Sequence, residues 1–246
     1  MTYILAEADE LRNQGQSLAA AKKYQEIAMS SDDPKIVGAC LHMSAVCVNQ
    51  AGDHAAAEDY FSKAEKHYHD IQDGFNLARV QRDHGNCLLA QGKKEEARSS
   101  LEASIKGFEG TEDFGELAMS QSNLAAVLAK EGEASEAESL AYKGIQNANK
   151  SNNTFYIATA YKEAGRVYFL NKKYEAMLDC LFSALGALEL EKDTHARQHA
   201  ELYLSLSFAY KELNNTELSE SSNKKAEEYL EQLDTESANR IRGYFN

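Results

Sequence analysis

The chain has 246 residues, with 39 acidic and 26 basic side chains and a net charge of −13 at pH 7. Nucleic acids and anionic membranes repel such a chain at long range, so we expect neither as a partner. One proline, 14 glycines and no tryptophan leave too few turn residues for an all-β sandwich. We therefore predict an all-α fold.

The N-terminus and the cysteines favour a cytoplasmic protein. The first turns carry Glu7 and lack the basic and apolar blocks of a secretory signal. No apolar stretch approaches the roughly 20 residues that span a bilayer. Cys40, Cys47, Cys87 and Cys180 form no CxxC pair and fit the reduced, buried cysteines of cytosolic proteins. We expect no membrane insertion.

A repeat of about 40 residues runs along the chain. Each repeat has a turn position, which is glycine in the first four repeats, and a residue five places later that is small in most of them. In chain order these pairs are Gly15/Ala20, Gly52/Ala57, Gly92/Ala97, Gly132/Ala137, Lys172/Met177 and Asn214/Ser219. The spacing indicates six repeats of one supersecondary unit.

Each repeat is predicted to form two helices joined at the turn position. Before the turn, a small residue is followed three places later by a larger one, as in Gly85 and Leu88, which lets two helices approach closely. After the turn, Ala57, Phe61 and Ala64 recur at i, i+4 and i+7, the period of an amphipathic helix. Glycine at the turn supplies the backbone conformation that ends one helix.

This arrangement resembles the tetratricopeptide repeat, a helix–turn–helix unit. The nearest matches are Gly165–Tyr168 with Asn171–Glu175, and Gly85–Leu88 with Gly92–Ala97. The period is longer than the usual 34 or so residues, and the longer helices resemble the variants in kinesin light chains, G-protein regulatory scaffolds and bacterial peptide-sensing regulators. The resemblance implies an α-solenoid that forms a right-handed superhelix, with a concave groove lined by the first helix of each repeat.

The repeats account for almost the whole chain. We predict an array over residues 2–233 and a C-terminal capping helix and tail over 234–246. The expected bounds of the six repeats are 2–36, 37–76, 77–114, 115–154, 155–194 and 195–233.

The sequence offers little for catalysis. It contains no Gly-rich phosphate loop, no GxSxG and no HExxH. His195 and His199 lie one helical turn apart, but a metal site needs at least a third ligand, so two exposed histidines are the favoured interpretation. We predict no enzymatic activity, catalytic residue, metal or cofactor.

Cations and asparagines gather on the predicted groove. Arginine pairs with carboxylates, and asparagine can bond both sides of a peptide backbone. The inward positions of the third, fourth and fifth repeats carry Arg79, Arg82, Asn86, Asn123, Lys162 and Arg166. We predict that these six residues bind a peptide.

Part of this set resembles the carboxylate clamp of chaperone-binding tetratricopeptide proteins. Arg82, Asn86 and Asn123 match three of its five positions. Thr159 and Glu163 occupy the other two and do not match, which argues against specificity for a chaperone C-terminus. In the alternative interpretation, the cations and the adjoining carboxylates Asp83 and Glu163 form interhelical salt bridges, which contribute little.

We predict a protein–protein interaction scaffold that binds an acidic or carboxylate-bearing peptide of a protein partner. An alternative is a regulatory receptor, in which a short signalling peptide shifts the pitch of the superhelix. A hydrolase or metal enzyme built on the His195/His199 helix is a weaker alternative.

Overall fold

The structure is a computed structural model that describes residues 2–189 and 196–245. These residues form thirteen α-helices and no strand, which confirms the predicted all-α fold. In chain order the helices are α1 (Thr2–Asn13), α2 (Ser17–Ser30), α3 (Pro34–Gln50), α4 (His54–Asp70), α5 (Gly74–Ala90), α6 (Lys94–Phe108), α7 (Phe114–Glu131), α8 (Ala134–Lys150), α9 (Thr154–Leu170), α10 (Tyr174–Leu188), α11 (Ala196–Glu212), α12 (Thr216–Leu230) and α13 (Thr235–Phe245).

The helices pair in succession within two compact units, Met1–Thr111 and Glu112–Asn246. In each unit an odd-numbered helix packs against the even-numbered helix that follows it. We call these the first and second helices of a pair, and α13 follows the last pair. The predicted series of helix–turn–helix repeats is therefore confirmed, while the predicted bounds of the single repeats stay a prediction.

One left-handed residue sits at the turn of each helix pair. The φ angles are +77° at Gly15, +89° at Gly52, +79° at Gly92, +84° at Gly132, +58° at Lys172 and +58° at Asn214. These are the six turn positions found from the repeat. Glycine adopts this conformation without steric cost and asparagine tolerates it, whereas the Cβ of a lysine is strained there.

Replacing Lys172 by glycine is expected to raise the free energy of unfolding by about 0.5–1 kcal/mol, because the relieved strain exceeds the added freedom of the unfolded chain. The matched control is Lys173→Gly, where φ is −100°. That change relieves no strain. It adds backbone freedom to the unfolded chain and removes the ion pair in which Lys173 Nζ lies 2.8 Å from Glu138 Oε2, so it should lower stability. Urea unfolding measures the free energy of unfolding of both variants. A loss of stability in Lys172→Gly would contradict the strain argument.

The residues five places after the first five turn positions lie in the core, and Ser219, which follows the sixth, is half-buried. Ala20, Ala57, Ala97 and Ala137 are fully buried, and Met177 is almost so. A methyl group at these positions allows the backbones of two helices to come close, which is why alanine recurs there.

Helix α13 completes the core of the second compact unit. Its Ala238 and Ile241 are buried against Ala200, Leu204 and Leu230 of the last pair. The helix therefore buries apolar surface of the last pair, while its predicted role as a cap stays a prediction.

The four cysteines are free and buried. Burial raises the pKa of the Cys40, Cys47 and Cys180 thiols to about 11, so they stay protonated and unreactive near neutral pH. Among the helices of the described residues, none combines the length and the apolar character that a membrane span requires.

Candidate functional site

The first cluster of charged residues joins α3 and α5. Arg82 Nε donates to Asp83 Oδ1 at 3.0 Å, and His42 Nε2 lies 2.8 Å from Asp83 Oδ2. Burial alone would raise the pKa of Asp83, but the charge of Arg82 and the hydrogen bond with His42 lower it to about 2. We call Arg82, Asp83 and His42 the α5 charge cluster.

The α5 charge cluster is largely internal. Arg82 is only 9% exposed and His42 only 2%, so the guanidinium of Arg82 faces protein more than solvent. Arg82 pairs with Asp83 of its own helix, whereas the alternative interpretation expected salt bridges between helices. Arg79 and Asn86, the other predicted residues on α5, are half-buried.

The second cluster joins α9 and α11. Lys162 Nζ donates to Glu201 Oε2 at 3.0 Å, and Arg197 Nε donates to Glu201 Oε1 at 3.0 Å. On α9 itself, Arg166 Nη1 lies 3.1 Å from Glu163 Oε2. These five residues, the α9 charge cluster, contain three cations and two carboxylates, which leaves one positive charge in excess.

The two predicted cations of the α9 charge cluster differ in their surroundings. Burial alone would lower the pKa of Lys162, but the charges of Glu201 and Glu163 raise it, so the ammonium stays charged. Arg166 is exposed, with 44% of its side chain accessible, whereas its partner Glu163 is 15% accessible. Of the two predicted cations, Arg166 is therefore the more accessible to an incoming anion, and Arg197 of the same cluster is exposed as well.

The six predicted site residues fall in both compact units. Arg79, Arg82 and Asn86 lie on α5 in the first unit. Asn123 lies half-buried on α7 in the second unit, together with Lys162 and Arg166 on α9. Within the second unit, the structure brings Lys162 and Arg166 into one charged cluster.

Sequence reasoning missed the partners His42 and Glu201. Each comes from the neighbouring first helix, 41 residues before Asp83 and 39 residues after Lys162 respectively. The repeat of about 40 residues would have found both, because it places residues at this separation side by side on adjacent first helices.

Metal-ligating groups are sparse. Across residues 2–189 and 196–245, no group of three or more His, Cys, Asp or Glu side chains could hold a metal ion. His199 stacks on Tyr229 with ring centroids 4.6 Å apart, and Tyr203 stacks on Tyr229 at 5.8 Å. His195 lies outside the described residues.

Comparison with known families identifies the repeats. Residues 39–110 match the family model of the tetratricopeptide repeat. The chain contains tetratricopeptide repeats. The resemblance found in the sequence is therefore confirmed. No curated protein matches this chain.

Solved structures share the fold of these tetratricopeptide repeats over nearly the whole chain. BtubC (BKLC) from P. vanneervenii is 16% identical with a TM-score of 0.65, covering 99% of this chain and 91% of its own. The apo form of RapI is 16% identical with a TM-score of 0.70, covering 92% and 81%. The apo quorum sensor NprR from B. thuringiensis is 13% identical with a TM-score of 0.66, covering 97% and 68%. At these identities the likeness concerns the fold.

Proposed function

We propose that this protein is a cytoplasmic, non-catalytic scaffold whose first helices bind an acidic or carboxylate-ended segment of a partner protein. The carrying observation is the exposed Arg166 within a cluster that has one positive charge in excess, in a chain of net charge −13. Such a local charge attracts an anionic segment, which the rest of the surface repels.

The pairing of Arg166 with Glu163 does not oppose this proposal. Arg166 is the exposed member of the pair, and a guanidinium has five N–H donors, so a partner carboxylate can bind Arg166 while Glu163 keeps its contact. Once a ligand excludes water, a charge-assisted hydrogen bond contributes roughly 1.5–3 kcal/mol. Lys162 is held by Glu201, so it supports the positive potential beside the exposed arginine.

The other predicted residues take different roles in the proposal. Arg79, Asn86 and Asn123 are half-buried and would contact the backbone or acidic side chains of the partner. We assign Arg82 to holding α5 against α3 through Asp83, because it is buried.

Neutralising Arg166 is expected to release the partner without unfolding the protein. Arg166→Gln removes one exposed cation from the first helix α9. Lys143→Gln is the matched control, since Lys143 is an exposed cation on the second helix α8. Each protein is immobilised and exposed to lysate of the organism that makes it, and bound proteins are quantified by mass spectrometry. At least one protein held by the wild type and by Lys143→Gln should fall several-fold with Arg166→Gln.

The same protein should also leave the wild type as salt rises, because the interaction is open to water. Equal melting temperatures show that both variants fold. A partner set that Arg166→Gln retains in full would overturn the proposed site.

The receptor for a short signalling peptide uses the same surface and stays a prediction. It differs from a scaffold in requiring a change of shape on binding. Small-angle scattering with the captured partner's binding segment separates the two functions: a changed radius of gyration supports the receptor, and an unchanged one supports the scaffold.

A further inference from the structure

A cavity of about 230 Å³ lies where α13 meets α11 and α12, within the second compact unit. Leu204 and Phe208 form an apolar part of its lining, and Lys211, Glu227 and Arg242 form a charged part. The volume equals that of roughly eight liquid water molecules, which is enough for one amino-acid side chain with its terminal group. We call this space the α13 cavity.

The charged side chains of the cavity lining sum to one positive charge, and Glu231 acts on Arg242 from outside the lining. Arg242 donates to both carboxylate oxygens of Glu227, from Nε at 3.2 Å and from Nη2 at 2.5 Å. These hydrogen bonds hold the pKa of Glu227 below its ordinary value, so the carboxylate stays ionised. Lys211 is exposed on the rim and adds a second cation, so two cations face one carboxylate.

Hydrogen-bond donors remain for a ligand. Besides the two bonds to Glu227, Arg242 donates from Nη1 to Asn239 at 3.3 Å, so three of its five N–H groups are engaged. Within the part of the chain that the structure describes, two N–H groups of Arg242 and the ammonium of Lys211 are left to bind an acceptor. Because the one carboxylate of the lining is already bound by Arg242, an additional anion fits this site and an additional cation does not.

The hydroxyl of Ser207, also in the lining, is already committed. Ser219 Oγ donates to the carbonyl oxygen of Ser207 at 2.9 Å. The hydroxyl of Ser219 has only this one proton. In the 3.1 Å contact between the two hydroxyl oxygens, Ser207 is therefore the donor and Ser219 the acceptor. Ser207 therefore has no proton to offer to the cavity, and recognition of an anion falls to Lys211 and Arg242.

The apolar part of the lining selects the kind of anion. An aspartate or glutamate carries its carboxylate at the end of the side chain and has no separate apolar group. The C-terminal residue of a protein carries a carboxylate on Cα beside its side chain, so an aliphatic or aromatic residue there can meet both kinds of lining. Leu204 and Phe208 offer the apolar surface, and Lys211 offers the charge.

We propose that the α13 cavity binds the C-terminal residue of a partner protein, with its carboxylate on Lys211 and Arg242 and an apolar side chain on Leu204 and Phe208. The proposal rests on the proposed function in that it names how one end of a bound segment is recognised. Leu204 and Phe208 follow Lys162 and Arg166 by 42 residues each, the same spacing as the turn positions 172 and 214. The α13 cavity thus lies at the corresponding positions of the next first helix.

Three short peptides test the proposal by NMR titration of the ¹⁵N-labelled full chain. The first is acetyl-Gly-Ser-Leu with a free carboxylate, the second is its C-terminal amide, and the third is acetyl-Gly-Ser-Gly with a free carboxylate. We expect shifts of the amide signals of Phe208 and Lys211 with the first peptide, and affinities at least tenfold lower for the other two, because each lacks one of the two recognised groups.

Lys211→Gln should weaken the first peptide about tenfold and leave the amide unchanged. Lys224→Gln is the matched control, since Lys224 is exposed on α12 outside the cavity lining. Equal affinity for the acid and the amide, or shifts that leave the cavity unaffected, would overturn the proposal. If the cavity fails and Arg166→Gln still releases the cellular partner, the proposed function stands without it.

Discussion

Replacing Arg82 by glutamate is expected to lower the free energy of unfolding by about 3–5 kcal/mol at pH 7, the usual cost of breaking a buried ion pair. Arg82 is 9% exposed, and its Nε donates to Asp83. The substitution sets a second carboxylate beside Asp83 where the positive charge was, and desolvation then disfavours both charges. Urea unfolding at constant pH measures the loss.

The control for this prediction is an exposed ion pair. On α4, Lys63 Nζ lies 2.5 Å from Asp59 Oδ2, and more than half of each side chain is accessible. Lys63→Glu also reverses a charge beside a carboxylate, but solvent screens it, so the expected loss is at most about 1 kcal/mol. A similarly small loss for Arg82→Glu would return Arg82 to the set of residues available to a ligand.

The penalty of Arg82→Glu also has a defined pH dependence. Asp83 has a pKa of about 2 in the folded protein, against an ordinary 3.8. A lowered folded pKa gives stability that is present above the ordinary value and lost as the pH falls toward 2. The difference between wild type and variant should therefore be full above about pH 5 and shrink between pH 4 and pH 2.

The fold was largely predictable because its determinants are local and periodic. Each turn needs one left-handed residue, and glycine or asparagine at a fixed spacing reveals it. Lys172 was found only because its neighbours set the register, since lysine by itself does not indicate a left-handed turn. The buried alanines are equally periodic, because each one marks the close contact between the first and second helices of its own repeat.

The candidate site was predictable only in part, because a repeat gives the face of a helix but not the burial of a side chain. Arg82 and Arg166 were both placed on the groove, yet the first is buried against Asp83 and the second is exposed. What separates them is the set of neighbours on adjacent helices. Arg82 is buried because His42 of α3 and Asp83 complete a charged cluster around it. The sequence of α5 alone does not show this contact with α3.

The α13 cavity could not be predicted at all. Arg242 lies beyond the last repeat, so no period relates it to Glu227 on α12. Their contact depends on how α13 docks, which the burial of Ala238 and Ile241 determines. The repeat gives the positions of the α11 residues that line the cavity. It does not show that Glu227 and Arg242 face them.

Gly85→Ala and Gly165→Ala are expected to have opposite effects on stability, although the two glycines occupy the same position of the repeat, 80 residues apart. A Cβ at Gly85 would lie 2.7 Å from Leu101 Cγ and 3.2 Å from the carbonyl oxygen of Ala97. At Gly165 the nearest atom, Leu181 Cδ2, is 3.5 Å away, an ordinary contact. The first site is thus overpacked by a single methyl group and the second is not.

The magnitudes follow from two terms. Replacing glycine by alanine within a helix contributes about 0.8–1 kcal/mol through helix propensity. Overpacking costs roughly 1–3 kcal/mol, and Leu101 is fully buried with little room to move. Gly165→Ala should therefore gain about 1 kcal/mol, and Gly85→Ala should lose about 1 kcal/mol.

Urea unfolding of the two variants beside the wild type measures this difference of about 2 kcal/mol, which lies well outside the error of the method. Ala45 and Ala125 already fill the same repeat position and are fully buried, so alanine is compatible with the repeat wherever the facing side chain leaves space. The decisive feature is then the placement of Leu101 against α5. Equal gains from both substitutions would show that Leu101 moves aside, and that the close approach at Gly85 is not required for the packing of α5 on α6.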